Sequence, residues 1–375
     1  METGHLNSNQ GWLFSKGLDL SILFLPIWIM WAVFLGYQNQ LENTTLPMWM
    51  WVIFILGIDV SHVWSTLFRT YADKDDYKSH KRLLWIAPVI CIATSISILS
   101  FSILWFWRVM AYLAIFHFIK QQYGFTAIYG AKSKVVNRFK KINIDKTIIY
   151  IATIYPVIFW HFNSQSTFNW FVEGDFLAPN FIHSNQIELI FFILNFIYWS
   201  VIGLWIFIEI KSQRANTNRH WGKVLWVTTT ALNWWLGIVY FNSDLVFSVS
   251  NVLAHGVPYL MLIYLYKLKK EEITTHKTTT YAWCIRWGLK LIFSIFILAF
   301  IEEYFWDMFV RNEMGSFFEF IYPYRFKPLT ASWGLIIATA ILSLPQQVHY
   351  IVDGYIWKMD ERNQLLKPIL IQNES

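Results

Sequence analysis

The sequence predicts an all-α, polytopic integral membrane protein, and three observations carry that expectation. Of 375 residues, 56% are hydrophobic and only 14% charged, with a mean hydropathy of +0.38, a balance foreign to a water-soluble enzyme of this length. Apolar runs long enough to cross a bilayer recur along the chain. Lysine and arginine crowd into alternate connections between those runs.

The runs lie at about 18–37, 46–68, 83–103, 105–128, 147–162, 187–210, 222–241, 245–266, 287–306 and 331–357, which makes about ten transmembrane helices. Lys16 leads into a first run too long for a cleaved leader and without a small-residue cleavage site after it, so that run is expected to stay as the first span. The fifth run is short and ends in aromatics. The pattern does not place the turn between the third and fourth. No fixed-period repeat or low-complexity tract divides the chain, so residues 1–375 read as one integral membrane domain.

The basic residues test this order independently. One side receives Lys16; Arg69, Lys74, Lys78, Lys81 and Arg82; Lys132, Lys134, Arg138, Lys140, Lys141 and Lys146; Lys211, Arg214, Arg219 and Lys223; Lys267, Lys269, Lys270, Lys277, Arg286 and Lys290; and Lys358, Arg362 and Lys367, which is 25 of the 30. The other side has Arg311, Arg325 and Lys327, while Arg108 and Lys120 fall in or near spans. Cytoplasmic connections hold the excess, so both termini are expected in the cytoplasm. The net charge of +6 thus reports topology, and no nucleic-acid partner is expected.

Cys91 and Cys284 fall in a span and near a cytoplasmic helix end, which argues against a disulfide framework. The 22 Trp, 19 Tyr and 32 Phe suit interfacial belts and an aromatic interior. Two long segments on the non-cytoplasmic side, His161–Gln186 and Glu302–Pro328, are expected to cap a cavity or lie in the interface. Glu302 and Glu303 are expected to face water, and His80, His161, His183 and His276 read as loop or interface residues.

Polar side chains inside the spans are costly in lipid and so mark function. The tenth run contains QQVHYIVDGYIWK, in which His349 and Asp353 share a helical face and Gln346 lies one turn before. The second contains DVSH, with Asp59 and His62 on one face and Thr66 a turn further on. FHFIKQQYG in the fourth places His117, Lys120 and Gln121 together by the same spacing rule, and NVLAHGVP in the eighth places Asn251 four residues before His255, with Pro258 loosening the helix. All four of these helices run from outside to inside. His62 is 7 residues before Arg69, His255 12 before Lys267, His349 9 before Lys358 and His117 13 before Gly130, depths of roughly 10 to 20 Å at 1.5 Å per residue. One buried site can collect them.

Four imidazoles, each with a hydrogen-bonding neighbour one turn away, have the makings of a metal centre. His62, His117, His255 and His349 are the candidate ligands, with Asp59 either completing the set or orienting a histidine. Asp353 has the same two roles open to it and, with Lys120 and Gln121, forms the candidate catalytic group. Asn251 and Gln346 are candidate cofactor-binding residues. Imidazole with carboxylate suits iron, zinc or copper, and iron is preferred because open positions on iron(II) suit oxygen activation. A haem with two axial histidines is the variant. Any single histidine in a span is more often an interhelical hydrogen-bonding residue, Lys120 can snorkel to the headgroups, and aromatic excess is more often packing.

The HxxHH and HxxxH clusters of membrane desaturases and hydroxylases, CxxCH, Walker-type glycine loops, GxSxG and HExxH are all absent from the sequence. FHFIKQQYG and QQVHYIVDGYIWK, with DVSHVWSTLFRTY, resemble segments of bacterial polytopic membrane proteins, a resemblance that implies the architecture and brings no activity. AHG in the eighth run is faintly similar to the WHG of membrane-bound O-acyltransferases, with Ala254 where that family has tryptophan. The expected function is therefore an inner-membrane, iron-dependent oxidoreductase acting on a lipid-soluble substrate such as an acyl chain, isoprenoid or quinone. A proton-coupled transporter, with the His and Asp groups as a relay, is the alternative, although paired Gly/Pro-broken helices in matching halves are missing.

Overall fold

Among the described residues a helix stands at each of the ten apolar runs. The computed structural model describes residues 11–38, 46–135, 138–139, 142–163, 166, 168–177, 184–215, 220–311, 313–318 and 333–371. Lys140, Lys141, Arg219, Arg325, Lys327 and His183 lie outside the described residues, as do parts of both long non-cytoplasmic segments. The helices are α1 (Lys16–Gly36), α2 (Met48–Arg69), α3 (Lys74–Phe101), α4 (Ile103–Ser133), α5 (Ile144–Phe162), α6 (Ser184–Ala215), α7 (Trp221–Trp234, continued by Trp235–Tyr240), α8 (Asp244–Thr275), α9 (Tyr281–Arg311) and α10 (Trp333–Ile356). Arg138–Phe139 and Ile142–Asn143 pair antiparallel over two residues each, the one extended pairing among the described residues.

Eight of the ten are long and apolar enough to span a bilayer; α5 and α7 are not among them. The reason is polar content. Helix α5 opens on Asp145 and Lys146 and contains Thr147 and Thr153, and α7 contains Lys223, Thr228, Thr229, Thr230 and Asn233. The charged flanks also lengthen helices beyond their apolar runs. Asp73 caps α3 by accepting from the Asp75 and Asp76 amides at 3.1 and 3.2 Å, which lets the charged 74–82 segment wind as helix. Only Ser102, in extended conformation, separates α3 from α4.

The chain divides into two compact units, 1–46 with 114–258 and 370–375, and 47–113 with 259–369. In the first, α1 leans on α7 through Trp28 Nε1 to Thr229 Oγ1 (3.1 Å) and Trp31 Nε1 to Asn233 Oδ1 (3.0 Å). Asp19, buried at the start of α1, accepts from the Leu13 and Phe14 amides and from the Tyr129 hydroxyl of α4. Gly222 permits this closeness, because a Cβ there would stand 2.4 Å from Tyr129 Cε1 and 2.6 Å from the Gly11 carbonyl oxygen. Ile149, Ala152, Tyr198, Ile202, Val227 and Ala231 fill the core joining α5, α6 and α7.

A second buried cluster in this unit escaped the sequence reading. Glu209 of α6 stands 2.6 Å from His220 Nε2 and 3.1 Å from the Lys223 ammonium, and Lys223 also reaches Asp145 at 3.3 Å. Lys223, expected among the loop charges, is fully buried.

In the second unit, Val348, Val352 and Ile356 of α10 pack on Leu84 and Cys91 of α3, and Trp287, Leu291 and Ile295 of α9 pack on Tyr259 and Ile263 of α8. Beneath them lies an ion network. Arg69, 1% exposed, pairs with Asp76 at 2.6 Å, donates to the Ile356 carbonyl and Asn363, and lies over the Tyr266 ring. Lys270 binds Asp73 at 2.5 Å and Asp76 at 3.4 Å, while Lys267 binds Asp73 at 3.0 Å. Burial raises the Asp73 carboxyl, but the two ammonium groups and the Asp76 amide outweigh it and hold the group below its ordinary range. His80, expected in a loop, is a buried residue of α3 whose Nδ1 lies 3.2 Å from the Asp76 carbonyl. Cys91 and Cys284 are free thiols.

Candidate metal centre

Helix α2 delivers His62 by an unusual route. Its Trp51–Val60 stretch is π-helical, with α-helical winding resuming at Ser61, and such wide turns gather at functional sites. Asp59, in the last turn of the wide stretch, keeps 32% of its side chain exposed, and its Oδ1 is 3.6 Å from His62 Nδ1. That is ion-pair range, beyond a good hydrogen bond. His349 of α10 stands against His62 with ring centroids 5.0 Å apart and planes at 83°. The Tyr259 ring lies 5.9 Å from His62 and 5.2 Å from His349.

Around His349 the bonding differs from the one-turn expectation. Asp353 Oδ1 is 3.9 Å from His349 Nδ1, too far for a hydrogen bond. Thr66 Oγ1 occupies that nitrogen at 2.7 Å. Asp353 instead accepts from the Tyr259 hydroxyl at 2.5 Å. Gln346 turns to the Tyr350 hydroxyl at 2.7 Å, and it is Gln347 that ties α10 to α3, by accepting from Ser95 at 3.0 Å.

His117 of α4 and His255 of α8 form the matching pair, again with centroids 5.0 Å apart and planes at 79°. Phe118 lies 4.6 Å from His255, Trp170 lies 5.7 Å from Phe118, and Trp170 stacks on Phe247 at 6.0 Å. Trp170 belongs to the 168–177 segment, which Asp175 folds on itself by accepting from the Trp170 and Phe171 amides at 3.0 and 2.7 Å. Trp170 Nε1 then bonds Asp244 at the start of α8 at 3.1 Å. The described part of the segment is thus tied to the start of α8. Burial raises the Asp175 carboxyl above its ordinary range despite those amides.

Pro258 explains the glutamines. It has no N–H, so the carbonyl four residues earlier loses its helical partner; that carbonyl belongs to Ala254, and Gln122 Nε2 fills it at 3.1 Å. Gln121 Nε2 donates to the next carbonyl, of His255, at 2.8 Å. Gln122 also accepts from Thr230 at 2.8 Å. The FHFIKQQYG motif therefore clamps the backbone that carries His255, whereas the spacing gave Gln121 a catalytic role and Gln122 none. Lys120 does not share the buried face of His117. It is exposed, 5.8 Å over the Phe116 ring. Asn251 is buried at 3% exposure, one turn before His255.

All four side chains, His62 and His349 in one unit and His117 and His255 in the other, are buried. Glu302 and Glu303, expected in water, lie within α9: Glu303 is buried and Glu302 accepts from Trp64 Nε1 at 2.6 Å. The α9 run continues through them, because tryptophan N–H groups and Arg311, 3.7 Å from Glu303, answer the carboxylates that the apolar pattern treated as a span end.

Comparison with protein-family models, with curated proteins and with solved structures returns no match for this chain.

Proposed function

We propose that this chain is a membrane metalloenzyme, an iron-dependent oxidoreductase that acts on a lipid-soluble substrate at the four-histidine centre. What carries this is two buried imidazole pairs, His62 with His349 and His117 with His255, each with ring centroids 5.0 Å apart, on four helices whose histidines the sequence sets at a shared depth. Four neutral nitrogen ligands suit iron, zinc or copper, and on six-coordinate iron(II) they leave two positions for oxygen and substrate. Asp353, bonded to Tyr259, supports His349 at a distance rather than binding metal, and Asp59 stands beside His62. The Phe118–Trp170 wall supports an apolar substrate over the His117–His255 pair.

The reading includes ten spans, cytoplasmic termini and the inner membrane, supported by the sorting of 25 basic residues to one side. A reporter fused near Asn169 is expected to read as external; an internal reading contradicts that order. The carboxylates of partly buried Glu302 and buried Glu303, with Asp59 in the same unit, favour the proton-coupled transporter as the second reading. Metal analysis with an absorption spectrum of detergent-purified protein separates the two. Stoichiometric iron without a Soret band supports the oxidoreductase, a Soret band the haem variant, and metal-free protein the transporter.

A further inference from the structure

The hydrogen bonds around His349 have a direction that the geometry determines. Asp353 is a carboxylate and can only accept when ionised, so the Tyr259 hydroxyl at 2.5 Å spends its single proton there. Toward Thr66, 3.0 Å away, the Tyr259 oxygen is then an acceptor, and Thr66 donates to it. Thr66 in turn has no proton left for His349 Nδ1 at 2.7 Å. That nitrogen must carry the hydrogen. A neutral imidazole has one N–H, so the lone pair sits on Nε2.

We propose that Thr66 and Tyr259 are positioning residues, a two-hydroxyl relay through which Asp353 locks His349 in its Nδ1–H tautomer and presents Nε2 to the metal. The tautomer rests on the hydrogen bonds alone; the ligand role of Nε2 rests on the metal centre proposed above. The relay accounts for a carboxylate one helical turn from His349 that nevertheless stands 3.9 Å from its Nδ1. Three helices meet in it, with Thr66 from α2, Tyr259 from α8, and His349 and Asp353 from α10. Groups that hold a ligand's other nitrogen typically change metal affinity 10–100-fold when removed.

The test uses the full chain in detergent with ¹⁵N-labelled histidine, the His349 signals assigned by their loss in His349→Gln, and titration with Zn²⁺ and Fe²⁺. Wild type is expected to show Nδ1 protonated. Thr66→Val is expected to lose that signature and to bind metal about 10–100-fold more weakly, Tyr259→Phe to behave similarly, and Thr66→Ser to restore both. Asp353→Asn keeps an oxygen that accepts from Tyr259 and is expected to stay within a few-fold of wild type. An unchanged tautomer in Thr66→Val, or complete metal loss in Asp353→Asn, overturns the relay. If wild type takes up neither metal, the metal centre fails while the ¹⁵N spectra still decide the relay.

Discussion

His62 with His349 and His117 with His255 are alike in spacing, each pair having ring centroids 5.0 Å apart at a steep angle, yet their surroundings are opposite. The first pair sits among Asp59, Thr66, Tyr259 and Asp353. The second sits against Phe118, which continues to Trp170 and Phe247, with its polar support supplied to the backbone by Gln121 and Gln122. Side-chain hydrogen bonds set the orientation and tautomer of an imidazole, whereas backbone clamps set only where it stands. On the metal-centre reading proposed above, the polar pair fixes the orientation of its imidazoles, and the aromatic pair places its own beside an apolar wall.

The comparison breaks most visibly if one pair alone binds metal. His349→Ala and His255→Ala are each expected to abolish stoichiometric metal, measured on purified, correctly inserted protein; full retention in either confines the centre to the other pair. Next in size is the network that anchors α2, α3, α8 and α10 below the polar pair. Asp73→Ala strands Lys270 and Lys267, and removing one partner of a buried pair costs about 3–5 kcal/mol, so thermal unfolding in detergent should fall sharply. A change under about 1 kcal/mol, the value of an exposed pair, would show the network to be solvated.

Gln122→Leu is expected to cost about 1–3 kcal/mol by leaving the Ala254 carbonyl unsatisfied beside Pro258. Pro258→Ala in the same chain should recover part of that loss, because it returns the helical N–H. Double-mutant unfolding measures the recovery, and strict additivity would rule out the clamp.

The smallest effect is a divergence with pH. The folded Asp73 group lies below its ordinary range, so its contribution is complete above the ordinary carboxylate pKa of about 4 and is lost as the pH falls further. Asp175 is held above its ordinary range, so its contribution is present below about 4 and is lost as the pH rises through the raised value. Hydrogen exchange, corrected for intrinsic rates, should therefore show the 69–80 segment loosening on acidification while 168–177 does not. Loosening of 168–177 on acidification contradicts the Asp175 assignment, and an unchanged 69–80 segment contradicts that of Asp73.

Helix positions, and the burial of the four histidines, were legible because hydropathy and polar interruptions are local properties of the chain. Partners were not. Arg69 looks like any charge at a span end until Asp76, Ile356 and Asn363 surround it. The i, i+4 rule paired His349 with Asp353, but Thr66, from another helix, took the nitrogen. Lys120 followed the spacing to His117 and still faces outward, since residues three apart stand some 60° from one another on a helix. The Ala254 carbonyl freed by Pro258 was readable from sequence; that Gln122 rather than Gln121 would find it depended on how α4 and α8 meet.

X-ray absorption at the metal edge tests the four-histidine centre most directly. The account predicts four imidazole nitrogens at about 2.0–2.2 Å, with the multiple scattering of histidine rings, reduced to three in His62→Ala protein under saturating metal. A spectrum with two or fewer imidazoles, or one unchanged by His62→Ala, would contradict it.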